Sequence, residues 1–128
     1  DGQHSSFFSS CVQAADYIEI QGFSKEQINI GFPFYGTWEG GRMEQYAYNA
    51  ISEEISPFNN FYTMKKSDTK EDRYTYFNSQ AIIRDKTAYA YLKGYGGVMI
   101  FSQYCDLPSD DERSLTKAIS DYLQEVTK

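Results

Sequence analysis

The chain has 128 residues and a formal net charge of -6, with 41% hydrophobic and 23% charged residues. This length suits one ordinary domain, and the composition excludes a disordered chain. The acidic balance argues against a nucleic-acid partner, because phosphate binding requires clustered Lys and Arg. No apolar run approaches the roughly 20 residues that span a bilayer, so no membrane partner is predicted. Aromatic residues reach 17%, and flat rings with polar tips suit a packed core and sugar recognition equally.

Metal-binding and nucleophilic residues are scarce. Cys11 and Cys105 are the two cysteines, and His4 is the single histidine. The sequence therefore offers too few Cys and His residues for a zinc site or a serine-histidine triad, and we predict neither a metal nor an organic cofactor. The two thiols allow one disulfide bridge, but two free, buried thiols are favoured.

The first predicted elements are a helix and a buried strand. Helical spacing over Ser9 to Gly22 places four residues together on one face: Val12, Ala15, Tyr17 and Ile18. Gly22 suits the left-handed residue that ends a helix, and Ser24 with Gln27 resembles a capping box. The apolar run INIGFPFYG follows, and four of its residues share one parity: Ile28, Ile30, Phe32 and Phe34. It predicts one buried strand that ends at Tyr35 and Gly36.

The segment from Thr37 to Tyr76 is the least regular part of the chain. It is rich in aromatic and polar residues, and within it a helix is predicted from Arg42 to Ile55, ending before Pro57. We interpret this segment as a variable insertion at about residues 37–76.

A second helix and strand follow the irregular segment. Ser79 is the predicted N-cap of a helix that ends at Gly94, and GGVMIFSQY predicts another buried strand. Ser109 and Glu112 predict a capping box for a last helix. The apolar face of that helix has clear i, i+3, i+4 spacing: Leu115, Ala118, Ile119, Tyr122, Leu123 and Val126.

This order of elements is typical of parallel βα units, whose strands are buried on both faces. Two such strands alone leave open hydrophobic edges, so the chain reads as an incomplete piece of a larger sheet that is prone to self-association.

Chemistry in parallel α/β folds is expected at the carboxyl ends of the strands. Met99, Phe101 and Gln103 share one face of the second strand, which suits the flat face of a sugar, although a plain core role for Met99 and Phe101 stays open. The carboxylates around Asp68 to Asp72 predict a solvated loop, and those after Asp106 predict helix capping. Asp106 is the one carboxylate that remains a weak site candidate.

Two runs resemble motifs of glycoside hydrolase family 18, the chitinase-like TIM barrels. INIGFPFYG matches a seventh-strand motif through five residues: Gly31, Pro33, Phe34, Tyr35 and Gly36. KTAYAYLKGYGGVMIF matches a motif of the seventh helix and eighth strand through six positions: Lys86, Tyr89, Gly96, Gly97, Met99 and Phe101. The resemblance covers the chain except about Glu39 to Tyr74. It implies an α/β fold over residues 1–128, the C-terminal fragment of a (β/α)8 barrel: helix, seventh strand, insertion, seventh helix, eighth strand and eighth helix.

The resemblance also implies a substrate-binding surface. Tyr35 would stand at the barrel mouth, and Met99 and Phe101 would line the subsite of the sugar whose bond is cleaved. Trp38, at the end of the first strand, is the fourth predicted substrate-binding residue. Most of the family carries tryptophan at the position of Phe101 and often arginine at that of Thr37. Phenylalanine keeps a stacking face but offers less area and no indole N–H, which predicts altered affinity or specificity.

The family's catalytic signature, Asp-x-x-Asp-x-Asp-x-Glu on the fourth strand, is absent, and even Asp-x-x-Asp does not occur. We therefore predict no catalytic residue here and an inactive isolated chain. The resemblance implies a secreted or cell-surface parent enzyme that hydrolyses β-1,4-linked N-acetylglucosamine polymers with retention, through substrate-assisted catalysis. Two alternatives stay open. One is a non-catalytic chitinase-like lectin; the other is an independent small α/β interaction module with at least three further paired strands between Thr37 and Tyr76.

Overall fold

A computed structural model describes residues 8–38, 45–65 and 72–128. Its helices and strands follow in chain order: α1 (Phe8–Ile20), β1 (Asn29–Pro33), β2 (Tyr35–Trp38), β3 (Gln45–Ala47), α2 (Tyr48–Ile51), β4 (Phe61–Lys65), β5 (Asp72–Tyr76), α3 (Gln80–Lys93), β6 (Gly97–Phe101) and α4 (Leu115–Val126). Single turns of 3-10 helix occur at Lys25–Gln27, Ser52–Glu54 and Gln103–Cys105. No helix in these ranges is long and apolar enough to cross a membrane.

Strands β1 and β6 form a parallel pair, with Ile30 opposite Val98 and Phe32 opposite Ile100. The shared parity predicted for this run is confirmed, because its four residues are all buried: Ile28, Ile30, Phe32 and Phe34. They pack with residues of all three long helices: Ala15, Ile83, Ala90, Leu115 and Ile119. The helices therefore cover one face of the pair.

The opposite face of this pair is open, which corrects the prediction of strands buried on both faces. Met99 and Phe101 keep 54% and 61% of their surface exposed. The described residues supply no element that packs over these side chains, and neither outer edge of the pair has a strand neighbour among them. Both the open face and the open edges are those of a partial barrel.

The chain changes sheets at Phe34, so the single predicted strand is in fact two. Phe34 N donates to Phe101 O at 2.8 Å, and Phe34 O accepts from Tyr48 N at 3.1 Å. After this residue, β2 turns into a separate four-stranded antiparallel sheet of order β3-β2-β5-β4. The backbone of Phe34 thus bonds to β6 on one side and to the start of α2, directly after β3, on the other.

The antiparallel sheet replaces part of the helix predicted from Arg42 to Ile55. Residues 45–47 form β3, which pairs with β2 through Tyr35 opposite Ala47 and Thr37 opposite Gln45. Only Tyr48–Ile51 and the following 3-10 turn are helical, and residues 42–44 lie outside the described ranges. Pairing with β2 satisfies backbone groups that local helical spacing would have satisfied within a helix.

Three strands between residues 45 and 76 are also what the independent-module alternative required. In the described structure they pair with β2 and with one another, and not with β1 or β6. They therefore do not close the parallel sheet.

Several predicted helix ends are confirmed and one is wrong. Ser79 Oγ accepts from Ile82 N, and Gly94 ends α3 with a φ of 76°. Gln27 Oε1 accepts from Ser24 N at 3.0 Å, as a capping box requires. The cap of α4 is not the predicted pair Ser109 and Glu112, because the helix begins later, at Leu115, and is capped by Ser114.

Helix α1 faces the core through Ala15, whereas Tyr17 is 63% exposed and does not share the buried face that the spacing predicted. Both cysteines are free, as predicted, but each is half-buried rather than buried.

Helix α3 places a lysine side chain in the core. Lys86 is fully buried, its Nζ donates to Asn78 Oδ1 at 2.6 Å, and the Cys11 thiol of α1 lies nearby. Burial lowers the pKa of Lys86 to about 8, because a charged amine loses its hydration there, and the nearby thiol opposes part of this shift. Lys86 shares helical spacing with Ile83 and Ala90, which are also buried.

We expect the fold to become more stable as the pH rises from about 7 to about 9.5. Between the folded pKa of about 8 and the ordinary lysine pKa of 10.5, the unfolded chain binds a proton that folded Lys86 has released. Stability therefore rises with pH, by about 2 kcal/mol over this interval. Urea unfolding midpoints at the two pH values measure the change. Lys86→Met should lose the rise, and Lys93→Met, at the partly exposed end of α3, should keep it; an equal rise in both variants would contradict the assignment.

Candidate functional site

Three of the four predicted substrate-binding residues converge on the open face of the parallel pair. The rings of Tyr35 and Phe101 meet edge to face, with centroids 6.3 Å apart and planes at 88°. Met99 precedes Phe101 by two residues and points to the same side. These side chains line a groove of about 460 Å³ that also includes Gly31 and Pro33.

The register of β1 and β6 sets this arrangement. Pro33 lies opposite Phe101 and Gly31 opposite Met99, so neither partner on β1 projects a long side chain over the surface. A Cβ at Gly31 would lie 3.5 Å from Met99 Cε, which shows how close the thioether lies to the β1 backbone. The hydrogen bond from Phe34 N to Phe101 O then fixes the ends of the two strands together.

The groove crosses the free edge of β1 and reaches α1. On that side it is lined by small and apolar residues of the helix: Ser10, Cys11, Ala14, Ala15 and Ile18. The site therefore combines an exposed aromatic surface with an apolar cleft at a strand edge.

Trp38 is the fourth predicted substrate-binding residue. Its backbone ends β2 and pairs with Thr75, but its side chain lies outside the part of the chain that the structure describes. Its role stays a prediction. Gln103, predicted on the same face as Phe101, lies in the 3-10 turn after β6 and is exposed.

Asp106, the weak carboxylate candidate, has a structural role. Its Oδ1 accepts from Leu107 N and Leu115 N, and its Oδ2 accepts from Thr116 N, each at 2.8 Å. Ser114 Oγ donates to the same carboxylate at 2.9 Å. Four donors occupy the group, and it is 8% exposed, so it is neither free nor placed to transfer a proton in the groove. Asp68 and Glu71 lie outside the described ranges.

The short helix α2 anchors the antiparallel sheet beside the groove. The Tyr48 hydroxyl donates to Arg113 O at 2.7 Å, and Asn49 Nδ2 donates to Tyr104 O at 2.8 Å. Burial, with the nearby Asp106 carboxylate, raises the pKa of Tyr48 to about 12, so the phenol remains a hydrogen-bond donor throughout the neutral range. The sequence did not predict this anchor, because neither Tyr48 nor Asn49 belongs to a repeat with helical or strand spacing.

Among residues 8–38, 45–65 and 72–128, no group of three His, Cys, Asp or Glu side chains could hold a metal ion.

The comparison with known proteins rests on solved structures, because no protein-family model and no curated protein matches the sequence. A GH18 chitinase, ChiB from the chitin utilization locus of Flavobacterium johnsoniae, superposes with a TM-score of 0.73 at 23% identity, over 97% of this chain and 37% of that one. A chitinase from Bacteroides thetaiotaomicron gives a TM-score of 0.75 at 22% identity, over 96% of this chain and 40% of that one.

The chain has the fold of part of a family 18 chitinase barrel. A third structure, YKL-39 solved in the presence of chitooligosaccharides (GlcNAc4), superposes with a TM-score of 0.66 at 16% identity, over 88% of this chain and 39% of that one. The chain thus spans about two fifths of the length of each of these structures. The open edges of β1 and β6 are where the remaining strands of a chitinase-like barrel would pair.

Proposed function

We propose that this chain is the C-terminal part of a chitinase-type hydrolase barrel and contributes a sugar-binding surface to it. The observation that carries this proposal is the convergence of Tyr35, Met99 and Phe101 on the open face of the parallel pair. In a closed barrel this face points inward, and the carboxyl ends of the strands form the site. The matched motifs and the superposed chitinases support the same placement.

The chemistry of the surface suits N-acetylglucosamine units. Pyranose rings present flat C–H faces that pack against aromatic rings, and the exposed Phe101 offers such a face. Met99 supplies a polarisable, adaptable contact beside it. The groove thus favours a neutral polysaccharide, which also agrees with the acidic charge of the chain.

The catalytic acid belongs, in this proposal, to the rest of the barrel. The chain lacks the family's acidic signature, and Asp106 is fully engaged in holding the start of α4. The whole enzyme would hydrolyse β-1,4 links with retention, using the substrate's acetamido group as nucleophile. It would act where the polymer is found, as a secreted or cell-surface protein.

The open strand edges give this chain a second class of partner. The edges of β1 and β6 carry unpaired backbone groups, which the remaining strands of the barrel or another copy of the chain would pair.

We expect Phe101→Ala to weaken sugar binding with little effect on stability. The N-acetylglucosamine tetramer should bind the chain weakly, and saturation-transfer NMR detects such contacts. Loss of the stacking face should lower the affinity about tenfold, the equivalent of roughly 1.4 kcal/mol. Because Phe101 is 61% exposed, its removal leaves no cavity in the core.

The matched control for this experiment is Phe58→Ala. Phe58 is 77% exposed and lines a different surface, next to Pro57 and Gln80. Binding to the control should equal that of the original chain. Tetramer protons that receive no saturation, or an equal loss in both variants, would rule out the sugar-binding surface proposed here.

A further inference from the structure

The buried side-chain amide of Asn78 joins helix α3 to the end of strand β1. Asn78 is 2% exposed and directly precedes Ser79, the cap of α3. Its Nδ2 donates to Pro33 O at 3.0 Å, and its Oδ1 accepts from Lys86 Nζ at 2.6 Å. Pro33 lines the candidate groove and Asn78 does not, so the amide contacts the site only through the backbone.

These two contacts require a side chain that donates and accepts at the same time. A lysine amine only donates, and a backbone carbonyl only accepts, so the group between Lys86 and Pro33 must present one acceptor and one donor. Asparagine offers both from one planar amide. An aspartate has the same shape, but when ionised it only accepts, and it would leave the buried Pro33 contact without a donor.

The peptide unit between Pro33 and Phe34 is held from both sides. A planar trans peptide points its oxygen and its N–H in opposite directions. The oxygen, that of Pro33, accepts from Asn78, and the N–H, that of Phe34, donates to Phe101 O at 2.8 Å. The orientation of this peptide therefore depends on Asn78, and the same peptide fixes the end of β6 against β1.

The ring contact of the candidate site follows directly after this peptide. Tyr35 is the next residue, and its ring meets that of Phe101 edge to face, with centroids 6.3 Å apart. A rotation of the peptide would move the Tyr35 backbone and break the hydrogen bond to Phe101 O at the same time. Both rings would then lose their relative placement.

We propose that Asn78 is a positioning residue of the candidate sugar site, which sets the packing of Tyr35 on Phe101 through the peptide between Pro33 and Phe34. It does not touch the sugar. Its effect on sugar binding rests on the proposed function, whereas its effect on the two rings is independent of any ligand.

Asn78→Asp tests this role, because it keeps the acceptor for Lys86 and removes the donor to Pro33 O. Without sugar, the ring contact is measured as the nuclear Overhauser effect between ring protons of Tyr35 and Phe101, and we expect it to be lost. Amide hydrogen exchange at Phe34 should become about tenfold faster, and the affinity for the N-acetylglucosamine tetramer in saturation-transfer titrations should fall about fivefold.

The matched control is Thr87→Val, which removes a different buried hydrogen bond of α3. Thr87 is also 2% exposed, and its hydroxyl donates to Ile83 O within the helix at 2.7 Å. This bond does not involve β1. The ring contact, the exchange at Phe34 and the tetramer affinity should therefore all equal those of the original chain, whatever the variant loses in stability.

The outcomes separate the positioning role from the proposed function. An unchanged ring contact in Asn78→Asp, equal changes in both variants, or a lost ring contact with unchanged tetramer affinity would overturn the proposal. If Asn78→Asp does not fold, Asn78→Ser replaces it with the same expectations, because its shorter side chain also removes the donor to Pro33 O. If the original chain does not bind the tetramer but Asn78→Asp alone loses the ring contact, the positioning of the rings stands and the proposed function fails.

Discussion

Replacing Asp106 by alanine is expected to lower the free energy of unfolding by about 4 kcal/mol, because buried donors lose a charged acceptor. The carboxylate accepts from three backbone N–H groups and from the Ser114 hydroxyl. Two of those N–H groups, from Leu115 and Thr116, are the first of α4 and have no acceptor within the helix. Ser114 also depends on this contact, since its Oγ accepts from Lys117 N as the helix cap.

The control for Asp106→Ala is Asp110→Ala, which removes an exposed carboxylate from the same loop. Its effect on stability should stay within about 0.5 kcal/mol, as for most surface substitutions. Chemical denaturation of the two variants measures the difference. Equal midpoints would show that the carboxylate does not hold the start of α4, and would return Asp106 to the set of site candidates.

Asp106 also shows why a local pattern assigned the wrong cap. Ser109 and Glu112 have the spacing of a capping box, and residues near a helix start commonly show it. The actual cap, Ser114, is reinforced by a carboxylate that lies eight residues earlier in the chain and reaches it through the folded loop. No sequence window of one helical turn contains that contact.

The long helices and the parallel strands were predictable because each carries its own periodic signal. Helix α3 has its N-cap and its left-handed glycine, and the parity of Ile30 and Phe32 identified the buried face of β1. The sequence therefore predicted which residues face the core and that Met99 and Phe101 share the other face.

The antiparallel sheet was not predictable from local pattern, because its register is set across distant segments. Trp38 pairs with Thr75, and Thr37 pairs with Tyr76. Contacts at such separation depend on tertiary pairing, which overrides the local spacing that favoured a helix near Gln45. The same reason explains the break at Phe34, where the backbone bonds to β6 and to the first residue of α2.

The candidate site was only partly predictable. Alternation placed Met99 and Phe101 together, whereas the approach of Tyr35 depends on the bend after Phe34. Cys11 and Lys86 lie near each other on two helices far apart in sequence. Helical spacing alone indicates that each residue faces inward, but it does not say which other residue it meets.

Replacing Gly96 by alanine is the second substitution with a large expected effect, a loss of about 3 kcal/mol in the free energy of unfolding. A Cβ at this position would lie 2.2 Å from Glu26 O and 3.0 Å from Glu26 C, and both atoms belong to the backbone. Neither can rotate away as the end of a flexible side chain would. Gly96 N also donates to Lys25 O and Ile28 O, so moving the turn would break these bonds as well.

Gly31→Ala is the matched control for Gly96→Ala, because the new Cβ would meet only the flexible end of Met99 at 3.5 Å. Its unfolding midpoint should stay close to that of the original chain, and that of Gly96→Ala should fall sharply. The contrast follows from what each glycine faces, since one lies against a rigid turn and the other against the open groove. Equal midpoints would mean that the close approach of the Lys25–Gln27 turn to Gly96 does not order the start of β6.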